Sequence, residues 1–354
     1  MKTRIMAFFA ALCLLLPFTG CRGTGGSEVH VFYYTFSDTY ISSVRSALGK
    51  QLSDADISYQ DYDANGNQTT QTEQIRTAIT KGAKTLLVNI VNTGSDDAAG
   101  EIVELARQAG AALIFFNREV SSTVIDSYDQ CAYVGTRAEE AGILQGEMIG
   151  EYLLDHYAEV DKNGDGVISY ILFKGEEGNN EAIYRTEYSV SEANKLLDAA
   201  GKPKLRFYDA SNPNKYLVDR NGLWSATAAN EYMTTALTSH NTANGNMIEL
   251  VICNNDGMAE GAISALNVAG FNTGEGSPFI PVFGVDATDA ARSLISKAQM
   301  AGTIKQDAEG MAEALRHLTS NTLTEGKTLM AETDRFTVDE NTRKVRIHYA
   351  KYLG

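Results

Sequence analysis

Oxygen-bearing residues alternate along a short segment at residues 161–169, and their spacing suits a hard cation. Ca²⁺ takes about six to eight oxygen ligands, and the segment matches the first nine positions of an EF-hand-type loop, with Gly166 at the sharp turn. Position 12, normally a bidentate Glu, is Leu172, so another segment would have to complete the site. A polar turn without metal is the alternative. The candidate ligands are Asp161, Asn163, Asp165, the backbone carbonyl of Val167, and Ser169.

Local motifs of hydrolases and transition-metal sites are absent from the chain. It contains no G-x-S-x-G and no H-E-x-x-H, its five histidines are scattered, and its four cysteines form no C-x-x-C. This argues only weakly against an enzyme, because a catalytic triad can be assembled from distant positions. Cys131 and Cys253 lie in apolar segments, and we expect them to be core thiols; a disulfide between them stays open.

Composition and charge restrict the class of protein. The 354 residues include 45 acidic and 30 basic side chains, a net charge of −15. Because a nucleic-acid-binding protein needs Lys and Arg to neutralise phosphates, this balance argues against that class. The length predicts two domains, each large enough to bury its own core.

Residues 1–20 have the layout of an export signal. Lys2 and Arg4 precede a stretch of roughly a dozen apolar residues, which is shorter than the roughly 20 residues of a membrane-spanning helix. Small residues then lead to Cys21, in a pattern that resembles a bacterial lipobox, where the cysteine becomes the lipidated N-terminus. We expect lipidation at Cys21, a tether at residues 21–27, and membrane contact through the lipid alone. Plain cleavage with an incidental cysteine is the alternative.

Apolar runs alternate with helical patterns along the rest of the chain. Near-continuous apolar strands between helices predict an α/β fold with parallel sheets covered on both faces. Two such halves would place a ligand crevice between them, at the carboxyl ends of the strands. The predicted strands are 29–34, 57–61, 85–91, 112–116, 169–173, 204–209, 250–253 and 280–285, and the predicted helices are 38–48, 70–81, 101–109, 135–155, 181–200, 224–239, 258–269, 287–298 and 308–319.

Many short motifs occur in a fixed order over residues 29–350. They include Asp38-Thr39-Tyr40, Val88-Asn89-Ile90-Val91, Phe115-Phe116-Asn117-Arg118-Glu119, Tyr133-Val134-Gly135-Thr136, Lys174-Gly175-Glu176, Cys253-Asn254-Asn255-Asp256, Pro281-Val282-Phe283-Gly284-Val285-Asp286 and Ala301-Gly302-Thr303. With these motifs the chain resembles the periplasmic D-galactose/D-glucose-binding proteins, the substrate-binding lipoproteins of methylgalactoside-type ABC importers. The resemblance implies a type I two-lobe periplasmic binding protein with a three-segment hinge.

The resemblance also implies a structural Ca²⁺ that is remote from the sugar. In that family a distant glutamate before a strand completes the calcium loop, and Glu249 occupies the matching place here. A metal that binds only the folded state adds to its stability. The implied ligands are Asp161, Asn163, Asp165, Val167, Ser169 and Glu249.

Sugar contacts are a further implication of the resemblance. A pyranose has two apolar faces and a rim of hydroxyl groups, which suits an aromatic pair and planar polar side chains. Tyr40 and Trp224, the only tryptophan, match the stacking pair, one from each lobe. The hydroxyl-binding set is Asp38, Asn89, Asn179, Glu181, Arg185, Asn255, Asp286 and Gln306. Three of these depart from the residues usual in the family, and the departures could reorder the preference for sugar epimers: Asn179, Glu181 and Gln306.

The function implied by the resemblance is binding without catalysis. We expect a periplasmic, lipid-anchored monomer that closes on D-glucose or D-galactose and presents it to the membrane subunits of an ABC permease, with a chemoreceptor as a conceivable further partner. The predicted N-terminal lobe is residues 28–117 with 307–338, and the predicted C-terminal lobe is residues 118–306 with 339–354.

Other functions stay open on sequence alone. Asp38 and Asp286 could act as the paired carboxylates of a glycosidase. The chain could be a chemosensory sugar receptor, which is compatible with transport. A two-lobe receptor for ribose or an autoinducer is disfavoured by Trp224 and by the calcium-type loop.

Overall fold

Two seven-stranded sheets make up the fold in the computed structural model, which describes residues 29–354. The strands of the first sheet pair in parallel in the order β12-β13-β5-β4-β3-β1-β2, except that the edge strand β12 is antiparallel to β13. The strands are β1 (Val29–Tyr33), β2 (Tyr59–Asp63), β3 (Thr85–Val88), β4 (Ala112–Phe116), β5 (Cys131–Gly135), β12 (Thr337–Val338) and β13 (Lys344–Arg346).

Helices cover both faces of this first sheet. One face packs against α1 and α10, and the other against α2, α3 and α4. This arrangement explains why β1, β3, β4 and β5 are entirely buried and mostly apolar. The helices are α1 (Thr39–Asp54), α2 (Gln68–Thr80), α3 (Asp97–Ala109), α4 (Ser122–Asp126) and α10 (Ala308–Leu323).

The second sheet repeats this plan. Its order is β14-β11-β10-β9-β6-β7, with β8 also paired to β6, and only β14 is antiparallel to its neighbour. Helices α5 and α6 cover one face, and α7, α8 and α9 cover the other. The elements are β6 (Ser169–Lys174), β7 (Arg206–Phe207), β8 (Leu217–Val218), β9 (Leu250–Cys253), β10 (Val282–Asp286), β11 (Gly302–Lys305), β14 (Ala350–Tyr352), α5 (Ala138–Val160), α6 (Asn180–Ala199), α7 (Ala226–Ser239), α8 (Asp256–Val268) and α9 (Asp289–Ser296).

The chain crosses between the two lobes three times, and two of the predicted boundaries are wrong. The first crossing lies between β5 and α5 rather than near Asn117, because β5 pairs with β4 and stays in the first sheet. The second passes Gln306, between β11 and α10. The third lies between β13 and β14 rather than at residues 339–345, because β13 pairs with β5.

Several predicted elements also need correction. The helix predicted from residue 135 begins at Ala138, and residues 131–135 form strand β5 instead. Its last residue, Gly135, passes so close to Tyr133 that an added Cβ would lie 2.0 Å from the tyrosine hydroxyl oxygen. Strand β11 and the three strands at the carboxyl end of the chain were not predicted.

The remaining sequence predictions concern membrane attachment and the thiols. The signal peptide, Cys21 and the tether lie outside the described residues. Within residues 29–354, no helix is both long enough and apolar enough to cross a membrane. Cys131 and Cys253 are buried free thiols in different sheets, so they do not form the disulfide that the sequence left open.

Candidate ligand-binding site

A cavity lies between the two sheets, where the carboxyl ends of strands from both lobes meet. Nine of the predicted contact residues line it, namely Asp38, Tyr40, Asn179, Glu181, Arg185, Trp224, Asn255, Asp286 and Gln306. The other lining residues were not predicted, namely Tyr34, Ile41, Asn117 and Arg118.

Three of the lining residues are also helix N-caps. The side chains of Asp38, Asn179 and Asn255 accept hydrogen bonds from backbone N–H groups at the starts of α1, α6 and α8, at 2.8, 3.0 and 2.9 Å. A capping residue follows a strand and opens a helix, so its side chain lies at the edge of the sheet where a ligand would bind. Capping therefore fixes these polar groups in position before any ligand arrives.

Asn89 is the predicted contact residue that does not line the cavity. It is fully buried behind the wall, where its Oδ1 accepts from the backbone N–H of Tyr34 at 3.3 Å. Its Nδ2 donates to the backbone carbonyl of Phe116 at 3.2 Å and to Oδ1 of Asn117 at 3.1 Å. Asn117, which has a left-handed backbone (φ 61°), presents its amide at the cavity instead.

One aromatic side chain from each lobe contributes to the cavity wall. Tyr40 lies on α1, and Trp224 precedes α7 with a left-handed backbone (φ 55°), so the helix predicted from residue 224 begins two residues later. The indole ring packs on Gly175, where an added Cβ would lie 2.0 Å from the ring. Nδ2 of Asn255 donates to the backbone carbonyl of Trp224 at 3.3 Å. The ring is thereby held in one position.

Arg185 is a buried charge with several partners in the site. Its guanidinium donates to the carbonyl of Asn254 at 2.8 Å, to the hydroxyl of Tyr349 at 2.9 Å and to Oε1 of Gln306 at 3.4 Å. Burial alone would lower its pKa, but the neighbouring Tyr349, Asp286 and Glu181 together raise that pKa above its ordinary value. The cation is therefore permanent.

Burial favours the neutral forms of two carboxyl groups in the site, those of Asp286 and Glu181, whereas Arg185 stays charged. Burial raises the pKa of Asp286 well above its usual range, and the charge of Arg185 only partly opposes this. Burial also raises the pKa of Glu181. A ligand that donates hydrogen bonds to these carboxylates would favour their ionised forms.

Three buried polar atoms of the lining residues have no hydrogen-bond partner among the described residues. They are Oε2 of Glu181, Nε of Arg185 and Nε2 of Gln306. Leaving buried polar groups unpaired costs about 1–3 kcal/mol each. Because one atom accepts and the other two donate, this part of the cavity suits a ligand rich in hydroxyl groups.

Tyr34 and Arg118 could have been found from the ends of the predicted strands. Tyr34 directly follows β1, and its hydroxyl donates to Oδ2 of Asp38 at 2.6 Å. Arg118 lies two residues after β4, and its guanidinium carbon is 4.1 Å from the centre of the Tyr34 ring. Both positions are ones at which open α/β sheets bind ligands.

The calcium-type loop lies away from this cavity, and the fold brings Glu249 to it. Glu249 is fully buried; its Oε1 accepts from the backbone N–H of Asn163 at 3.1 Å and its Oε2 from that of Ser169 at 2.9 Å. Oδ1 of Asp161 is buried without a partner in the described part of the chain. An unpaired buried carboxylate oxygen in a loop whose backbone contacts a buried glutamate fits a cation.

Other contacts of the loop at residues 161–169 stabilise its turn at Gly166 and pair the charge of Asp165. Gly166 has a left-handed backbone (φ 78°), its N–H donates to Oδ2 of Asp161 at 2.9 Å, and its carbonyl accepts from Tyr157. Oδ2 of Asp165 accepts from Arg206 at 2.7 Å. Residues 29–354 hold no cluster of three or more His, Cys, Asp or Glu side chains arranged for a metal. The donor set therefore depends also on Asn, Ser and backbone oxygens.

Comparison with known families identifies the fold. The family model described as periplasmic binding protein domain matches residues 29–328 of the sequence. The chain belongs to this family. The predicted two-lobe α/β architecture of a periplasmic binding protein is thereby confirmed.

Individual relatives match this periplasmic binding protein over nearly its whole length. The D-galactose/methyl-galactoside binding periplasmic protein of Haemophilus influenzae is 32% identical over 350 residues, covering 99% of this chain and 96% of the relative. An ABC transporter solute-binding protein of Clostridium phytofermentans with bound β-D-glucose has a TM-score of 0.70 at 21% identity, covering 92% of this chain and 93% of that one. A Bacillus halodurans solute-binding protein with bound myo-inositol has a TM-score of 0.68 at 22% identity, covering 94% and 96%. At such identities the two structures show a shared fold alone.

These relatives are binding proteins, and so is this chain. The prediction that it is not an enzyme is confirmed, and the glycosidase alternative for Asp38 and Asp286 is wrong.

Proposed function

We propose that this periplasmic binding protein is the sugar-binding component of an ABC importer, and that it closes on D-glucose or D-galactose and delivers the sugar to the membrane subunits. The observation that carries the proposal is the pairing of aromatic side chains with unpaired buried polar atoms in the lining of one cavity. Tyr40 and Trp224 suit the apolar faces of a pyranose, and the unpaired atoms of Glu181, Arg185 and Gln306 suit its hydroxyl groups.

The choice of a hexose rests on the whole-length relative. That relative is described as binding D-galactose and methyl-galactoside. Asp38 lies at the cavity with two carboxylate oxygens, which only accept hydrogen bonds and so tolerate a hydroxyl group in either orientation. Glu181 and Gln306 have longer side chains than the family's usual Asp and Asn. The preference between sugar epimers therefore depends on these two residues of this chain.

A structural Ca²⁺ in the loop at residues 161–169 is part of the proposal. The ion would be held by oxygens of Asp161, Asn163, Asp165, Val167, Ser169 and Glu249. When bound, it would supply positive charge to a group of buried oxygens and stabilise the folded state. Its support is the unpaired Oδ1 of Asp161, together with the buried Glu249, which accepts from the loop's backbone at Asn163 and Ser169.

Attachment to a membrane by a lipid on Cys21 completes the proposal. Its support is the sequence of the first 21 residues alone, in which a charged start and a short apolar stretch precede the cysteine. A receptor held in this way would stay close to its permease while remaining free to open and close.

The test is a fluorescence titration of residues 22–354. Trp224 is the only tryptophan, so its emission reports on the cavity directly. We expect a saturable change in emission with D-glucose and D-galactose and none with D-ribose. Unchanged emission with both hexoses, together with a change produced by ribose, would overturn the hexose assignment.

A further inference from the structure

Glu176 forms a bridge across the cleft between the lobes. It follows β6 of the second lobe, whereas Arg118 follows β4 of the first, and the Arg118 guanidinium donates to Oε2 of Glu176 in an ion pair. The same oxygen accepts from the indole Nε1 of Trp224 at 3.4 Å. One carboxylate thus contacts both the opposite lobe and the aromatic wall of its own lobe.

Arg118, the partner of Glu176 in the first lobe, is held in place by several contacts of its own. Arg118 is buried; its guanidinium also donates to the carbonyls of Ile90, at 3.3 Å, and Val91, and lies over the Tyr34 ring. Because Tyr34 in turn donates to Asp38, the polar chain runs from the first lobe's side of the cavity to Trp224.

We propose that Glu176 is a positioning residue that couples closure of the lobes to the orientation of Trp224. This inference rests on the proposed function. Opening the cleft separates Arg118 from Glu176, since the two lie on different lobes, and leaves the indole hydrogen bond within the second lobe. The ion pair therefore slows the release of a bound sugar, and the indole contact holds the stacking ring in place when the site is empty.

A second contact across the cleft is much weaker and does not account for the same coupling. The backbone N–H of Glu119 donates to Oε1 of Glu181 at 3.4 Å, with no charge pair. An ion pair that is partly shielded from solvent contributes more than an exposed one. The side chains of Arg118 and Glu176 are 5% and 24% exposed, so they meet that condition.

The neighbouring residue provides a matched control. Glu177 is also a carboxylate, but it pairs with Lys174 of its own lobe at 2.5 Å and accepts from Tyr216 at 2.7 Å. Glu176→Gln and Glu177→Gln each remove one negative charge with little change of shape, and only the first removes a charge pair that crosses the cleft.

The experiment measures dissociation of D-glucose by stopped-flow fluorescence of Trp224. We expect Glu176→Gln to dissociate about tenfold faster, the scale of a lost charge-assisted hydrogen bond, while Glu177→Gln stays within about twofold of the wild type. Raising NaCl from about 0.05 M to about 0.5 M should speed dissociation from the wild type more than from Glu176→Gln. Equal rates and equal salt dependence in the wild type and Glu176→Gln would overturn the proposal.

A readout without sugar separates this inference from the proposed function. In the empty protein, Glu176→Gln should shift the Trp224 emission maximum, because a charge next to the indole is removed, and Glu177→Gln should not. If the wild type binds no hexose, the proposed function fails. The shift of the emission maximum would still test the contact between Glu176 and the indole of Trp224. An unchanged emission maximum would overturn that contact.

Discussion

Oε1 of Glu249 accepts a hydrogen bond from the backbone N–H of Asn163 at 3.1 Å, although 86 residues separate the two in the chain. The contact ties the residue just before β9 to the loop just before β6, two strands that lie side by side. In the proposed calcium site, Glu249 would thus take the place of the glutamate that the local sequence lacks at Leu172.

Removing Glu249 should abolish the response to calcium. We expect Ca²⁺ at about a hundred times its Kd to increase the free energy of unfolding of the wild type by about 3 kcal/mol. The melting temperature should rise accordingly, and a chelator should reverse the rise. Glu249→Gln should show no difference between calcium and chelator, and the exposed Glu159→Gln should respond like the wild type. Scanning calorimetry measures both; a wild type indifferent to the chelator contradicts the calcium site.

Asn89 and Asn117 should have separable effects on stability and binding. Asn89→Ala leaves the buried N–H of Tyr34 without its acceptor, so it should lower the free energy of unfolding by about 1–3 kcal/mol. Asn117→Gly keeps the left-handed backbone and removes the amide at the cavity, so it should weaken hexose binding with a smaller effect on stability. Denaturation and titration of both variants check this. Weaker binding by Asn89→Ala at unchanged stability would instead make Asn89 a direct contact.

Stability should fall with rising pH because of Asp256. Burial raises its pKa to about 7, although its carboxylate accepts from Thr303 Oγ1 at 2.6 Å and the N–H of Thr288 at 2.8 Å. A carboxyl group whose pKa is higher in the folded state than in the unfolded state destabilises the fold as pH rises from about 4 to about 7, here by up to roughly 4 kcal/mol.

Asp256→Asn removes that ionisation while its amide can still pair with both groups. The two carboxyl groups that act electrostatically on Asp256, Glu260 and Asp286, remain. We expect the variant to lose less stability than the wild type between about pH 5 and about pH 8, and the exposed Asp289→Asn to follow the wild type. Parallel pH profiles for Asp256→Asn and the wild type would contradict this account.

Lipidation of Cys21 is tested by partitioning. The full chain expressed in a bacterium should sediment with membranes and enter the detergent phase, because acyl chains supply the affinity. Cys21→Ser should remain in the aqueous phase. A wild type that stays aqueous despite removal of its first 20 residues would show plain cleavage instead.

The sequence predicted the strands that are buried on both faces, because their apolar runs are unbroken. It missed β5 as a strand, because Cys131-Ala132-Tyr133-Val134-Gly135 is followed at once by a helical pattern, and the predicted helix begins at Gly135. It also misplaced two lobe boundaries, since the partner of a strand depends on contacts between distant segments: β5 pairs with β13, more than 200 residues later.

The resemblance supplied the candidate site residues, and the local sequence explains where three of them lie in the fold. Asp38, Asn179 and Asn255 each follow a strand and cap a helix, so their place at the sheet edge is fixed locally. Asn89 also follows a strand, yet local sequence does not reveal that its amide turns inward to Phe116 and Asn117. Side-chain direction at a strand end is set by neighbours from other strands.

Titration calorimetry on residues 22–354 tests the central claim most directly. The protein is first denatured and refolded to remove any sugar carried through purification, and D-glucose, D-galactose and D-ribose are then added in separate runs. We predict one-to-one submillimolar binding of at least one hexose and no heat with ribose. No binding of either hexose by the refolded protein would contradict the assignment of this cavity to a hexose.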